Sequence, residues 1–480
     1  MGSPLDAPDP RRWKALGVVC LAFFMTVLDV SIVNVALPSI GRDLHFTETT
    51  LQWVITAYAI TFGGFLLLGG RAADLLGRRR MFVAGVVLFT IASFVCGLAT
   101  SDTALIAARA VQGLGAALVS PAGLSIVSTT FTEGKERNKA LGIWGAVGGS
   151  GAAVGVLAGG VLTEYLGWEW IFFVNVPVGI AVLALIRRLV RESRAEGIDR
   201  AVDPLGAITI TAGLALLVYT ISEAPQEGWL SARTILLGAV AVALLASFLV
   251  VESRVRAPLI RLSFFRHRTV SAANVVGFLL GAALFSNFFL LTLFVQQVLG
   301  FSALKAGVTF LATAGTAVVV AGGAQALATK VGAKPVMAVG LALLGAGALV
   351  YTQLPADATF VSDLLPGYIL VGIGIPAAFI PVSIAALAGV EAHEAGLASG
   401  LINTSQQIGG AIGVAVASSI LFTRVDSLVK TGTPPPVAIA DGVTLAFWVV
   451  AGVAAAAVLA SLVFVKSAEI PTEGVAAHAG

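Results

Sequence analysis

Of the chain's charged residues (29 Lys and Arg, 26 Asp and Glu), only Asp29 and Arg109 fall inside its long apolar stretches. The others mark loops, helix ends or tails. A charge at mid-membrane depth is expensive, and it usually lines an internal cavity where it handles ions or substrate. A carboxylate facing a guanidinium in such a place is a reversible proton site. Protonating Asp29 would release Arg109, and an incoming substrate could compete for either group. The bland alternative is a static structural ion pair.

The elements that position these two residues are membrane helices. Residues of hydrophobic type make up 58% of the sequence and charged ones 11%. Apolar runs of about twenty residues recur along the whole chain, each long enough to cross a bilayer as a helix. Fourteen such spans are expected. The first run carries Asp29 and lacks a small-residue cleavage site, so it reads as a retained helix. Short loops hold most of the arginine. With both termini in the cytoplasm, 23 of the 29 basic residues lie inside and five outside, Arg109 being the remainder. The positive-inside rule rejects the inverted topology. Span 1 then runs outward and span 4 inward. At ~1.5 Å per residue, Asp29 lies ~12 Å and Arg109 ~9 Å below the outer ends of their helices. Their depths agree.

Two cytoplasmic connections are longer and more charged than the rest and bracket spans 7 and 8. The expected division is a tail over 1–13, a six-helix bundle over 14–190 and a linker over 191–204. Two inserted helices follow over 205–251, a second linker over 252–268, a second six-helix bundle over 269–465 and a tail over 466–480. An internal repeat supports this. A shift of 255 matches Gly77 with Gly332 and Gly85 with Gly340; a shift of 258 matches Gly142, Gly151 and Gly155 with Gly400, Gly409 and Gly413. The repeat is chemically asymmetric: Asp29 aligns with Leu284, Asp74 with Thr329 and Arg109 with Tyr368. Proton handling therefore belongs to the first half.

Three patterns carry a resemblance. Gly70, Asp74, Gly77, Arg78 and Arg79 form G-x3-D-x2-G-R-R between spans 2 and 3, where Asp74 can pair with arginine or cap a helix. LDVSIVNVALPSI (Leu28–Ile40) surrounds Asp29, and LIAARAVQGLGAA (Leu105–Ala117) surrounds Arg109. GWEWIFFVNVPVG (Gly167–Gly179) extends the likeness. The first pattern is similar to the signature loop of the major facilitator superfamily. The second resembles the helix-1 motif of its fourteen-helix drug:proton antiporter family, and the third resembles the superfamily's helix-4 arginine motif. The resemblance implies a cytoplasmic gate at the signature loop and proton-coupled efflux as the activity. Span 5 carries the antiporter-type glycine ladder, Gly142, Gly151, Gly155, Gly159 and Gly160, which lets helices pack closely and pivot. It departs from the family at Val156, where the pattern has proline, so the helix should be straighter there.

The expected fold is thus all-α: fourteen transmembrane helices, two pseudo-symmetric six-helix bundles and two helices inserted at the edge. The expected activity is proton-driven efflux of an amphipathic drug, antibiotic or toxic metabolite across the bacterial cytoplasmic membrane by alternating access. A proton symporter, a uniporter and a lipid scramblase are the rivals. An enzyme would need several converging titratable groups at one depth. Substrate contacts are expected from Asn34, Tyr58, Gln112, Asn287, Tyr368, Asn403 and Gln407. The proton gradient is the energy source; no cofactor, metal site or nucleic-acid partner is expected, and the chain should work as a monomer in the lipid bilayer.

Overall fold

The computed structural model describes residues 10–47, 50–131, 135–194, 203–255, 258–259, 268–388 and 395–465. The expected tail over 466–480 and most of the tail and both linkers elsewhere lie outside them.

The described residues form helices and connecting turns. In order they are α1 Arg12–Asp43, α2 Trp53–Leu76, α3 Arg78–Gly97, α4 Asp102–Thr130, α5 Lys135–Tyr165, α6 Trp170–Phe173, α7 Asn175–Leu189, α8 Pro204–Glu227 and α9 Ala232–Arg254. The second half has α10 Arg268–Leu293, α11 Ala303–Val331, α12 Ala333–Tyr351, α13 Leu365–Ala386, α14 Ala395–Lys430 and α15 Pro435–Phe464. A π-helical segment, Phe294–Val298, continues α10, and another, Phe360–Leu364, leads into α13. Among the described residues, thirteen helical segments are long and apolar enough to cross a membrane. The 31-residue α5 brings the spans to fourteen.

Several boundaries follow from local chemistry. Ser101 caps α4 by accepting from the Ala104 amide at 3.2 Å. Asp203 caps α8 through the Gly206 amide, with Pro204 in the first turn, where a missing N–H costs nothing. Span 6 is broken into α6 and α7 at Val174. Pro177 explains the break, since its ring crowds the carbonyl four residues back and it has no N–H to give.

The two halves use glycine alike. Gly77 and Gly332 join consecutive helices at φ 118° and 94°, a left-handed region that favours glycine. A Cβ on Gly85 would sit 2.9 Å from the Gly115 carbonyl of α4; one on Gly340 would sit 2.4 Å from the Ala377 backbone of α13. Gly155 packs on the Leu28 carbonyl of α1, as Gly413 packs on the Ala282 carbonyl of α10. The repeat is therefore a repeat of helix contacts.

The inserted pair is less peripheral than its place in the sequence implies. α8 lies across the seam between the halves, packed on α2 and α14, while α9 packs on α8. Gln52 of α2 donates to Ser222 Oγ at 2.7 Å, and Ser419 of α14 donates to the neighbouring Ile221 carbonyl at 2.9 Å.

The halves also meet directly, at the face opposite the arginine-rich loops. There Gly160 of α5 abuts Ala303 and Leu304 of α11, Gly307 abuts Val156, and Gln296 donates to the Val35 carbonyl at 2.7 Å. Toward the arginine-rich face α11 becomes exposed around most of its circumference, Val319 reaching 82%, and Gly315, Gly322 and Gly323 have open space beside them.

Candidate proton and substrate site

Asp29 and Arg109 come together. Arg109 Nη1 lies 2.5 Å from Asp29 Oδ2, and the residues are 1% and 0% exposed. The guanidinium is over-determined. Its Nε donates to the Val54 carbonyl at 2.9 Å, and Nη1 also donates to Gln112 Oε1 at 2.7 Å. The Tyr58 ring lies 4.5 Å and the Phe172 ring 5.7 Å from its centre, and a desolvated cation over aromatic faces gains on the order of 2 kcal/mol.

Gln112 stands three residues from Arg109 on α4, and so on the same helix face. It accepts from Arg109 and donates through Nε2 to Asp29 Oδ1 at 2.8 Å, bridging the pair. The Cys96 thiol reaches Gln112 Oε1 at 3.6 Å, and both cysteines are free and buried. α7 contributes as well. Asn175, at the start of α7, donates through Nδ2 to Asp29 Oδ1 at 3.1 Å and to Ser93 Oγ at 3.0 Å. Ser93 in turn donates to the Phe172 carbonyl at 2.8 Å. Asn175 and Ser93 are not legible as site residues in the sequence, where nothing sets them apart from the other neutral polar side chains within the spans.

The glycine ladder serves two surfaces. Gly151, Gly155 and Gly159 pack against Val27, Leu28, Ser31 and Ile32, the α1 residues flanking Asp29. Gly160 faces α11, and a Cβ on Gly142 would meet nothing within 4 Å among the described residues. α5 is a single helix from Lys135 to Tyr165, so Val156 does not interrupt it.

At the signature loop, Asp74 pairs with Arg78 at 3.1 Å. Arg79 bonds elsewhere: its Nη1 donates to the Val190 carbonyl at 3.1 Å and its amide to Glu192 Oε1 at 3.1 Å. Of the two roles open to Asp74, ion pairing is the one observed; the start of α3 is capped by Glu192, which the sequence reading did not single out. A Cβ on Gly77 would lie 2.6 Å from that carboxylate. Gly70 has only ordinary contact with Pro121. On the same face Arg12 pairs with Glu136 at 2.8 Å and, chiefly by that hydrogen bond, holds its carboxyl below the usual range.

The seven residues expected to contact substrate lie at several places in the fold. Gln112 and Tyr58 are consumed by the ion pair. Tyr368 is buried with Thr309, Phe310 and Tyr351 in the second half. Asn34 and Asn403 donate to carbonyls four residues back in their own helices. Asn287 is buried on α10, and Gln407 is buried where α14 meets Gly63 of α2. A cleft of about 280 Å³ lies elsewhere, beside Trp229, Thr423 and Arg424.

The chain resembles known transport proteins along most of its length. It is 41% identical over 442 residues to the puromycin resistance protein pur8 of Streptomyces alboniger, covering 91% of this chain and 87% of that one. It is 40% identical over 411 residues to the cephamycin export protein CmcT of Amycolatopsis lactamdurans, covering 85% and 84%. A solved POT family transporter in complex with a thioalcohol-conjugated peptide superposes with a TM-score of 0.67 at 15% identity, over 94% of this chain and 96% of that chain, a likeness of fold. The family model of the Major Facilitator Superfamily matches residues 19–414. With that match spanning both halves, the chain belongs to the Major Facilitator Superfamily.

Proposed function

We propose that this protein exports small amphipathic molecules in exchange for protons. The observation that carries the reading is the sealed Asp29–Arg109 pair. A buried ion pair is stable only while both charges persist; removing one strands the other at a cost of about 3–5 kcal/mol. A proton on Asp29 therefore forces a rearrangement, which is what coupling requires. Efflux as the direction is supported by the relatives, named for resistance and export. In this reading the arginine-rich face is cytoplasmic and the halves rock about a site between them. Asp74, Arg78 and Arg79 act at the inner gate, and the α5 glycines act as pivot. Monovalent, zwitterionic or neutral amphiphiles suit a cavity with a single acid.

Inverted vesicles with an acidic lumen should accumulate puromycin or a fluorescent monovalent amphiphile, and a protonophore should abolish the accumulation. The same vesicles with an alkaline lumen should not accumulate it, whereas a proton symporter would. Asp29→Asn should still insert, with a stability loss of about 3–5 kcal/mol from the stranded Arg109, and lose gradient-driven uptake. Full uptake by that variant would remove Asp29 from the mechanism.

A further inference from the structure

The donors around Asp29 are unevenly shared. Oδ1 accepts from Gln112 Nε2 and Asn175 Nδ2, at 2.8 and 3.1 Å. Each carboxylate oxygen has two lone-pair sites, so those of Oδ1 are both occupied. Among the described residues Oδ2 accepts from Arg109 alone, at 2.5 Å, and has one site left. Asn175 is itself fixed. Both hydrogens of its amide are used, on Asp29 Oδ1 and Ser93 Oγ, and Ser93 is anchored on the Phe172 carbonyl beside the break in span 6. The residue is 1% exposed.

We propose that Asn175 is a positioning residue for proton exchange: with Gln112 it pins Oδ1 as the carbonyl oxygen and leaves Oδ2, the atom facing Arg109, as the oxygen that takes the proton. This rests on the antiport reading above and deepens it. The consequence is directional. A proton arriving at Oδ2 cancels the charge that holds Arg109, while the C=O stays tethered to α4 and α7. The guanidinium is freed to meet substrate, and the carboxyl does not swing away. The ionisable groups around Asp29 are Arg109 from α4, Tyr58 from α2 and Cys96 from α3; α7 presents the neutral Asn175. Because Asn175 opens the broken half of span 6, the same bond ties the protonation state to the seat of α7.

Difference infrared spectra between acid and alkaline pH, on purified protein in lipid, test the assignment. The carbonyl stretch of protonated Asp29 is identified by its absence in Asp29→Asn. Asn175→Leu keeps the volume and removes the donors. It should move that band to higher wavenumber, since a C=O that loses a hydrogen bond stiffens, and should cut coupled uptake by about tenfold, the order of a lost bond to a charged group. Ser93→Ala leaves the core intact and should move the band the same way by less, serving as the test should Asn175→Leu not fold. A band unmoved in the folded variants would overturn the role of Asn175. A band that survives Asp29→Asn would instead overturn Asp29 as the proton carrier, a separate failure.

Discussion

Arg109 is held by four kinds of contact: the Asp29 carboxylate, the Val54 carbonyl, the Gln112 amide and the faces of Tyr58 and Phe172. Such a fork-shaped network uses the planarity of guanidinium, which an ammonium lacks. Arg109→Ala leaves Asp29 buried without its counter-ion and should remove transport, with a stability loss of about 3–5 kcal/mol. Arg109→Lys keeps a point charge and should retain part of the activity, though it cannot bond the carboxylate, Gln112 and Val54 together. Equal loss in both variants, measured as gradient-driven uptake per inserted protein, would mean that geometry and not charge is what the site needs. Asp29 and Arg109 were legible in the sequence because ionisable groups are rare in apolar helices. Asn175 and Ser93 were not, because a neutral amide or hydroxyl announces its partner only when another helix brings one within 3 Å or so.

The glycines show the same division between helices. Gly159 lets α5 lie directly on α1: a Cβ there would sit 2.8 Å from the Ile32 carbonyl, which is backbone and cannot step aside. Gly159→Ala should cost roughly 1–3 kcal/mol, lower the melting temperature in detergent and displace the α1 segment that carries Asp29. Gly142 has open space beside it, and Gly142→Ala should be neutral or slightly stabilising through better helix propensity. Matching thermal shifts in the two variants would show that the ladder is not a packing surface. The ladder's spacing was readable from the sequence. That three of its members pack on the α1 residues around Asp29, whereas Gly160 meets the opposite half, was not, since each depends on which helix lies across from it. Pro177 and the split of span 6 follow the same pattern: proline announces the break, but only the fold shows that the break sets Asn175 beside Asp29.

Rocking of the two halves requires the contacts at the distal face to open. Gln296, on the π-helical continuation of α10, donates to the Val35 carbonyl across the seam, and a net hydrogen bond is worth about 1 kcal/mol. Gln296→Leu should shift the balance between the two arrangements about fivefold toward the distally open one. Spin labels at Tyr165→Cys and Lys305→Cys, both exposed positions, would report this as a larger population of long distances; an unchanged distribution would exclude Gln296 as a latch. The sequence by itself determined the class of molecule: apolar length dictates membrane helices, repeated glycines mark two like halves, and two charges in apolar spans mark a pair that must meet. Only the tertiary structure decided which groups complete that region. It seated α8 across the seam, gave Glu192 to the signature loop, dispersed the residues expected to line one cavity and converged three donors on Asp29. Burial is a property of a single helix in lipid and is written in composition. Partnership needs two helices at a fixed register, and hydrogen bonds reaching across the bundle select that register.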